Sequence, residues 1–343
     1  MEITKAFQNT LISEEFKDIM GQDIVKSGLK SALMMGRHIA IFGPPGIGKT
    51  TLAKNVAKIL PEIKANACGY NCLPDNPVCP NCLAGKKVEQ IDVPGEKRFV
   101  RVQGSPDLTA EDLIGDIDPV KALKYGVLSP EAFTPGKVFK ANNGVLFFDE
   151  INRCPEKLQN ALLQVLEERT ATIASYDIDF QANFILIATM NPTDINTERL
   201  SDVLLDRFDV LYMNYPETDV TEKEIVRQKG NRILDMPDGV LESLVGFIRN
   251  LRDNDKLEKV PSVRATIGLY ERAQSNAIVR GAKQVSFDDV QAVVVSVLSH
   301  RIRLKPSARY LKEASEFIRE EFEKFTQDNF SSSVENTEQG DGP

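Results

Sequence analysis

The chain has 343 residues, of which 42% are hydrophobic and 27% charged, and its net charge is −8. That length suits two or three domains with a sizeable core. The acidic balance argues against a general binder of nucleic acid or acidic membranes, and no apolar run nears the roughly 20 residues of a membrane span.

The N-terminal stretch MEITKAFQNTLISEEF lacks the apolar core of a signal peptide, so a cytoplasmic protein is expected. The first strand-like run is Ile39–Phe42. It leads into Gly43-Pro44-Pro45-Gly46-Ile47-Gly48-Lys49-Thr50, a GxxxxGKT phosphate-binding loop. A helical pattern follows, with Leu52, Val56 and Leu60 on one face. Strand, glycine loop and helix start are the context this motif requires. Its backbone N–H groups and the helix N-terminus hold phosphates. Lys49 reaches the β- and γ-phosphates, Thr50 places its hydroxyl on magnesium, and Thr51 is assigned to the nucleotide as well. A glycine-rich turn with a chance lysine is the bland alternative, and the flanking pattern disfavours it.

Next come four clustered cysteines, Cys68, Cys72, Cys79 and Cys82, with Pro74, Pro77 and Pro80 between them. Paired cysteines at short spacing suit tetrahedral thiolate coordination of zinc. A redox-active thiol pair and unligated surface cysteines are the alternatives, and a cytoplasmic setting disfavours structural disulfides. Cys154 stands alone and suits a small buried residue. His38 and His300 lack metal-ligand spacing and suit packing or hydrogen bonding. Asp116-Ile117-Asp118 suits a turn.

Further strands are expected at Phe99–Val102, Val145–Phe148, Phe184–Ala188 and Val210–Met213. Each is short and mostly unbroken, as in a parallel sheet buried on both faces. Val145–Phe148 ends in Asp149-Glu150. Beside a phosphate loop, Asp149 fits the magnesium shell and Glu150 fits the residue that polarises attacking water; otherwise both acids simply end a strand. Pro155 starts a helix with Leu158, Leu162 and Val165 inward. Asn191, after Thr189-Met190, can orient water against the γ-phosphate, or its Asn-Pro merely starts a turn. Arg207 in LLDRFD can neutralise a transferring phosphoryl group from a neighbouring subunit, or it is a surface ion pair with Asp206 or Asp209.

Past Pro216 the apolar spacing turns helical, as in Leu241, Leu244, Val245 and Ile248, and again in Val290, Val293, Val294 and Val297. Ser286 with Asp289 suits an N-terminal cap. The expected division is an α/β domain at 1–215, an all-helical domain at 216–327 and a disordered Ser-, Asn- and Glu-rich tail at 328–343.

The order GPPGIGKT, GVLFFDE, ATMNP, LLDRFD and PSVRA resembles an AAA+ ATPase over residues 20 to 305. The likeness is strongest to the ATPase (I) subunit of magnesium chelatase and to MoxR-type ATPases. Asp107–Leu123, Phe133-Thr134-Pro135-Gly136 and Leu298-Ser299-His300-Arg301-Ile302 resemble chelatase segments. Asp149–Arg153 (DEINR) and Leu166–Arg169 are similar to MoxR. The resemblance implies a P-loop AAA+ sheet flanked by helices with a C-terminal helical lid. It makes Asn191 sensor 1, Arg207 the arginine finger and Arg264 sensor 2. It also implies a cysteine insert at 66–84, a helical insert at 105–140 and a hairpin at 170–182 before sensor 1.

The expected assembly is a homo-oligomer, a hexameric ring with Mg-ATP between subunits. It would remodel a partner carrying a von Willebrand A (VWA) domain, with a porphyrin-binding chelatase subunit if metal enters a tetrapyrrole. Two positions depart from the chelatase pattern: Ser201 and Leu113 stand where that family has arginine. They favour weighing a MoxR-type chaperone without tetrapyrrole chemistry. A DNA-directed motor is disfavoured by the acidic charge, and a switch without turnover by Glu150.

Overall fold

The computed structural model describes residues 5–85, 88–126, 129–172, 179–181, 183–192 and 200–338. The chain forms two compact units. One runs to Asn214 without Pro45–Ile47; the other takes those three residues together with everything from Tyr215.

The first unit opens with α1 (Lys5–Ser13) and α2 (Asp23–Met34), amphipathic helices that bury Phe7, Leu11, Leu29 and Leu33. Then come β1 (His38–Phe42) and α3 (Lys49–Lys58), where Leu52 and Val56 are fully buried. Next are β2 (Ile63–Asn66), the one-turn α4 (Pro80–Leu83), β3 (Gln90–Val93) and β4 (Phe99–Gln103). An insert follows with α5 (Ala110–Ile114), β5 (Gly115–Ile117), α6 (Pro119–Tyr125), β6 (Phe133–Pro135) and α7 (Lys137–Lys140). The unit closes with β7 (Val145–Asp149), α8 (Glu156–Glu168), β8 (Thr170–Thr172), β9 (Asp179–Gln181), β10 (Ile185–Met190), α9 (Asp202–Leu205) and β11 (Phe208–Tyr212).

Five strands form one parallel sheet in the order β11-β1-β10-β7-β4. They are the five apolar runs expected from sequence. Both sheet faces are covered, which is why the strands are continuously apolar rather than alternating. On one face Leu146, Phe148, Leu186 and Ala188 share a core with Leu158, Leu162 and Val165 of α8. Each such large side chain contributes about 2 kcal/mol by burial. The register pairs Phe42 with Met190 and Ala188 with Phe148. The carboxyl ends of β1, β10 and β7 therefore lie side by side, where open parallel sheets form their binding crevice.

One expectation about the insertions changes. The 105–140 insert is not purely helical, because β5 and β6 pair antiparallel within it. Strands of three residues are too short to leave a pattern in sequence. In the 170–182 segment β8 pairs with β9, and residues 173–178 and 182 lie outside the described residues. Asp116 and Ile117 lie in β5 rather than in the expected turn, and Asp118 caps α6 by accepting the N–H groups of Val120 and Lys121.

His38 is held neutral. Its Nδ1 accepts the main-chain N–H of Leu186 at 3.0 Å, and burial, aided by the positive charges of Arg169 and Arg37, lowers its pKa to about 4. The unfolded chain takes up this proton near the ordinary value of 6.5, so His38 favours the fold above that pH. The contribution is lost as pH falls from 6.5 towards 4, about 2 kcal/mol by pH 5. Urea unfolding at pH 7 and pH 5 should show this slope, and His38→Gln should flatten it.

The second unit contains α10 (Asp219–Lys229), α11 (Asp238–Arg252), β12 (Leu257–Lys259), α12 (Val263–Val279), α13 (Phe287–Leu298), β13 (Arg303–Leu304), α14 (Pro306–Arg309) and α15 (Ala314–Glu338). Leu244, Val245, Ile248, Leu269, Val294 and Ile318 meet in its core. Ser286 and Asp289 form the capping box of α13, with the Ser286 N–H donating to the carboxylate at 2.8 Å. Glu222 is fully buried and accepts from both terminal nitrogens of Arg252, at 2.6 and 2.7 Å, and from the Thr266 hydroxyl. This network locks α10, α11 and α12 together; leaving one partner of such a pair uncompensated costs about 3–5 kcal/mol.

The unit is helical, as expected, and includes one short antiparallel pair, β12–β13. The last helix, α15, runs to Glu338, past the expected boundary at 327. Polar composition suggested disorder there, yet no Gly or Pro interrupts residues 307–339, so nothing stops the helix. Residues 339–343 lie outside the described residues.

Candidate active site

The phosphate loop leaves β1 at its carboxyl end, where the Gly43 N–H donates to Met190 O at 3.1 Å. Gly48 is the N-cap of α3 with φ 98°, a conformation natural to glycine, and supplies no capping side chain. The first-turn N–H groups of α3 thus suit an anion, which is the fit expected for nucleotide phosphates. Lys49 Nζ donates to the carbonyls of Gly43 and Pro44 at 2.6 and 2.8 Å, so its charge lies within the curve of the loop. Thr50 and Thr51 follow in the first turn of α3.

Asp149 ends β7, two strands away from β1. Its carboxylate accepts the Thr189 hydroxyl at 2.7 Å and pairs with Arg101 at 2.5 Å. The same Thr189 oxygen accepts the Glu150 N–H at 3.0 Å. Glu150 has φ 57° and ψ 51°, a left-handed conformation that is costly for a non-glycine residue. Two features hold it there: the Thr189 bond, and close approach of β4's end. The Gly104 N–H donates to Asp149 O at 2.7 Å, and a Cβ on Gly104 would lie 2.0 Å from Glu150 O. The Glu150 carboxylate accepts from Gln103 Nε2 at 3.0 Å and pairs with Arg153 at 3.3 Å.

Asn191 follows β10 directly and is half-buried, on the same sheet edge as Asp149 and the loop. Arg207 is elsewhere. It precedes β11, whose first residue, Phe208, pairs with His38, whereas Tyr212 pairs with Phe42 beside the loop. It is bound to Glu167 at 3.2 Å and to Asp206 at 3.4 Å. Arg264 is exposed in the first turn of α12, in the second unit. Lys49, Thr50, Asp149, Glu150 and Asn191 thus share one edge, and Arg207 is at the other.

Thr189, Gln103, Gly104 and Arg101 were not singled out from sequence. Thr189 lies within the ATMNP stretch, and a polar Gln-Gly pair closing an apolar run was the visible trace of the other contact.

The four cysteines converge separately. Their sulfurs all lie within 4.8 Å of one another, between β2 and β3. Hydrogen bonding among the thiols draws Cys68 down and pushes Cys72 up to about 11. Cys154 is fully buried in the sheet core.

A parallel sheet ordered in this way, with a phosphate loop at the end of β1 and an Asp-Glu pair at the end of β7, defines a P-loop ATPase. The family comparisons agree. The model for the ATPase family associated with various cellular activities matches residues 80–210, the AAA lid domain matches 259–321, and magnesium chelatase subunit ChlI matches 15–69. The chain is an AAA+ ATPase, and within that class it resembles the ATPase subunit of magnesium chelatase. The magnesium-chelatase subunit ChlI homolog of Methanocaldococcus jannaschii is 27% identical, covering 85% of this chain and 86% of that protein. Subunit ChlI of Synechocystis is 28% identical, covering 85% and 88%. A RuvB variant of Thermotoga maritima shares the fold, with a TM-score of 0.50 and 21% identity over 81% of this chain and 71% of that one. The class implies ATP and magnesium. Among the described residues no helix is long and apolar enough to cross a membrane.

Proposed function

We propose that the chain is a ring-forming motor that couples Mg-ATP hydrolysis to remodelling of a VWA-domain partner. Lys49 and the loop N–H groups bind the phosphates, Thr50 and Asp149 hold magnesium, and Glu150 and Asn191 orient the attacking water. Magnesium neutralises charge on the phosphates. Arg207 completes a neighbour's site, and Arg264 contacts nucleotide as sensor 2. The observation that carries the ring is the position of Arg207. Along the strands it starts about four residues, or roughly 13 Å, from the end of β1 that bears its own phosphate loop. That exceeds the reach of an arginine side chain, so its phosphate belongs to another subunit.

In the chelatase reading the partner complex inserts a metal into a tetrapyrrole. A second reading, a chaperone that activates a VWA protein without tetrapyrrole, draws support from two side chains. Leu113, at the family's arginine position, is buried with Val138 and Phe139, so no charge is offered there. Ser201, at the other, caps α9 by accepting the Leu204 N–H at 3.2 Å. Zinc in the four-thiol cluster is a separate proposal and takes no part in nucleotide chemistry.

Affinity capture with ATP-arrested E150Q as bait separates the readings. A VWA protein alone supports the chaperone. A VWA protein with a large porphyrin-binding subunit supports metal insertion. Recovery of neither overturns the partner assignment.

A further inference from the structure

We propose that Cys68, Cys72, Cys79 and Cys82 bind one zinc ion, and that the resulting knuckle is fastened through Asn71 to the loop that starts β7. The inference does not depend on the partner reading. Tetrahedral zinc with bonds of about 2.3 Å places its sulfurs roughly 3.8 Å apart. The four sulfurs here, all within 4.8 Å of one another, need only a small contraction to reach that shell. Cys72, Cys79 and Cys82 are buried.

The surrounding donors favour thiolates. Cys72 Sγ accepts the N–H groups of Val78 and Cys79, each at 3.4 Å, and Cys82 Sγ accepts from Asn66 Nδ2 at 3.4 Å. On binding, the thiols release their protons to solvent and the ion takes four sulfur ligands. Four protein ligands close the shell, so no position remains for water and the site is structural rather than catalytic.

The segment cannot fold by burial alone. Among the described residues, besides cysteines, its local core contains buried Val78 and Pro80, with Tyr70 and Val88 partly covered. Metal binding is then the main source of its folding free energy. The first turn is ready for ligation: Asn71 takes φ 48°, and the Asn66 N–H donates to Cys72 O at 2.8 Å. The second pair flanks α4, with Cys79 as its N-cap and Cys82 in its single turn.

The same turn holds the sheet. Asn71 Nδ2 donates to Lys140 O at 3.0 Å, and Asn71 O accepts from Asn143 Nδ2 at 3.0 Å and Asn142 Nδ2 at 3.4 Å. Asn142 and Asn143 are buried and in turn bond Asn183, just before β10. The knuckle therefore braces the amino ends of β7 and β10, opposite the nucleotide edge. Losing zinc should loosen residues 64–92 and 140–144 while nucleotide still binds.

The test uses the full chain purified without chelator. Elemental analysis should give about one zinc per chain, falling to below about a tenth in C72S/C79S. Cobalt in place of zinc should give the intense visible bands of a tetrahedral thiolate site. Hydrogen exchange should show residues 64–92 and 140–144 losing protection when zinc is removed and regaining it when zinc returns. N71A removes only the side-chain bond to Lys140 O, so it should keep its zinc and lose part of the protection at 140–144. Metal far below one equivalent with four titratable thiols, only two titratable thiols, iron in place of zinc, or zinc retained by C72S/C79S would each overturn the site. Unchanged protection at 140–144 after zinc removal would overturn the brace.

Discussion

Glu150→Gln is expected to bind ATP and to hydrolyse it about 10²- to 10⁴-fold more slowly, the usual worth of a positioned general base. Lys49→Ala should instead lose nucleotide binding. The two effects separate because the two side chains act on different atoms: Lys49 belongs to the phosphate cradle, whereas Glu150 stands two strands away at the end of β7. The Gln substitution is close to isosteric. It keeps an oxygen that can accept from Gln103, and the Glu150 main-chain bond to Thr189 is untouched. Thermal stability should therefore remain near that of the wild type. Single-turnover hydrolysis and nucleotide titration on the same preparations check both claims. Hydrolysis by E150Q at the wild-type rate would remove Glu150 from the reaction.

The parts of the site that are contiguous in sequence could be read before the fold was known. The phosphate loop and the Asp149-Glu150 pair each carry their chemistry within a few residues and sit at the end of an unbroken apolar strand. Thr189 could not be read that way. Its importance depends on β10 lying beside β7 with Ala188 opposite Phe148, which places the next hydroxyl against both acids. Gln103 and Gly104 depend likewise on β4 pairing with β7, where Gln103 falls opposite Asp149. Register is a property of the whole sheet, and a single strand's composition does not encode it. The cysteine spacing was informative because its constraint is local, whereas the asparagines that anchor the knuckle come from residues 71, 142, 143 and 183.

Arg207→Ala is expected to lower turnover by about 10³-fold or more, as loss of an arginine finger does. Among the described residues Arg207 pairs with exposed carboxylates, Glu167 and Asp206, and such pairs contribute little to stability. The variant should therefore fold and bind ATP. The sheet register then supplies a sharper test than the single variant. If Arg207 serves a neighbour, each composite site takes its loop from one subunit and its arginine from the next. Lys49→Ala subunits carry an intact Arg207, and Arg207→Ala subunits carry an intact loop. Mixed at equal amounts in a head-to-tail ring, about a quarter of the interfaces combine both intact parts. Hydrolysis should reappear in the mixture although neither variant is active alone, and it should vary with the mixing ratio. A finger acting within its own subunit gives no recovery at any ratio, because no chain in the mixture has both parts. Mass measurement of the mixed assemblies makes that outcome decisive, since recovery cannot be expected where the variants have not co-assembled.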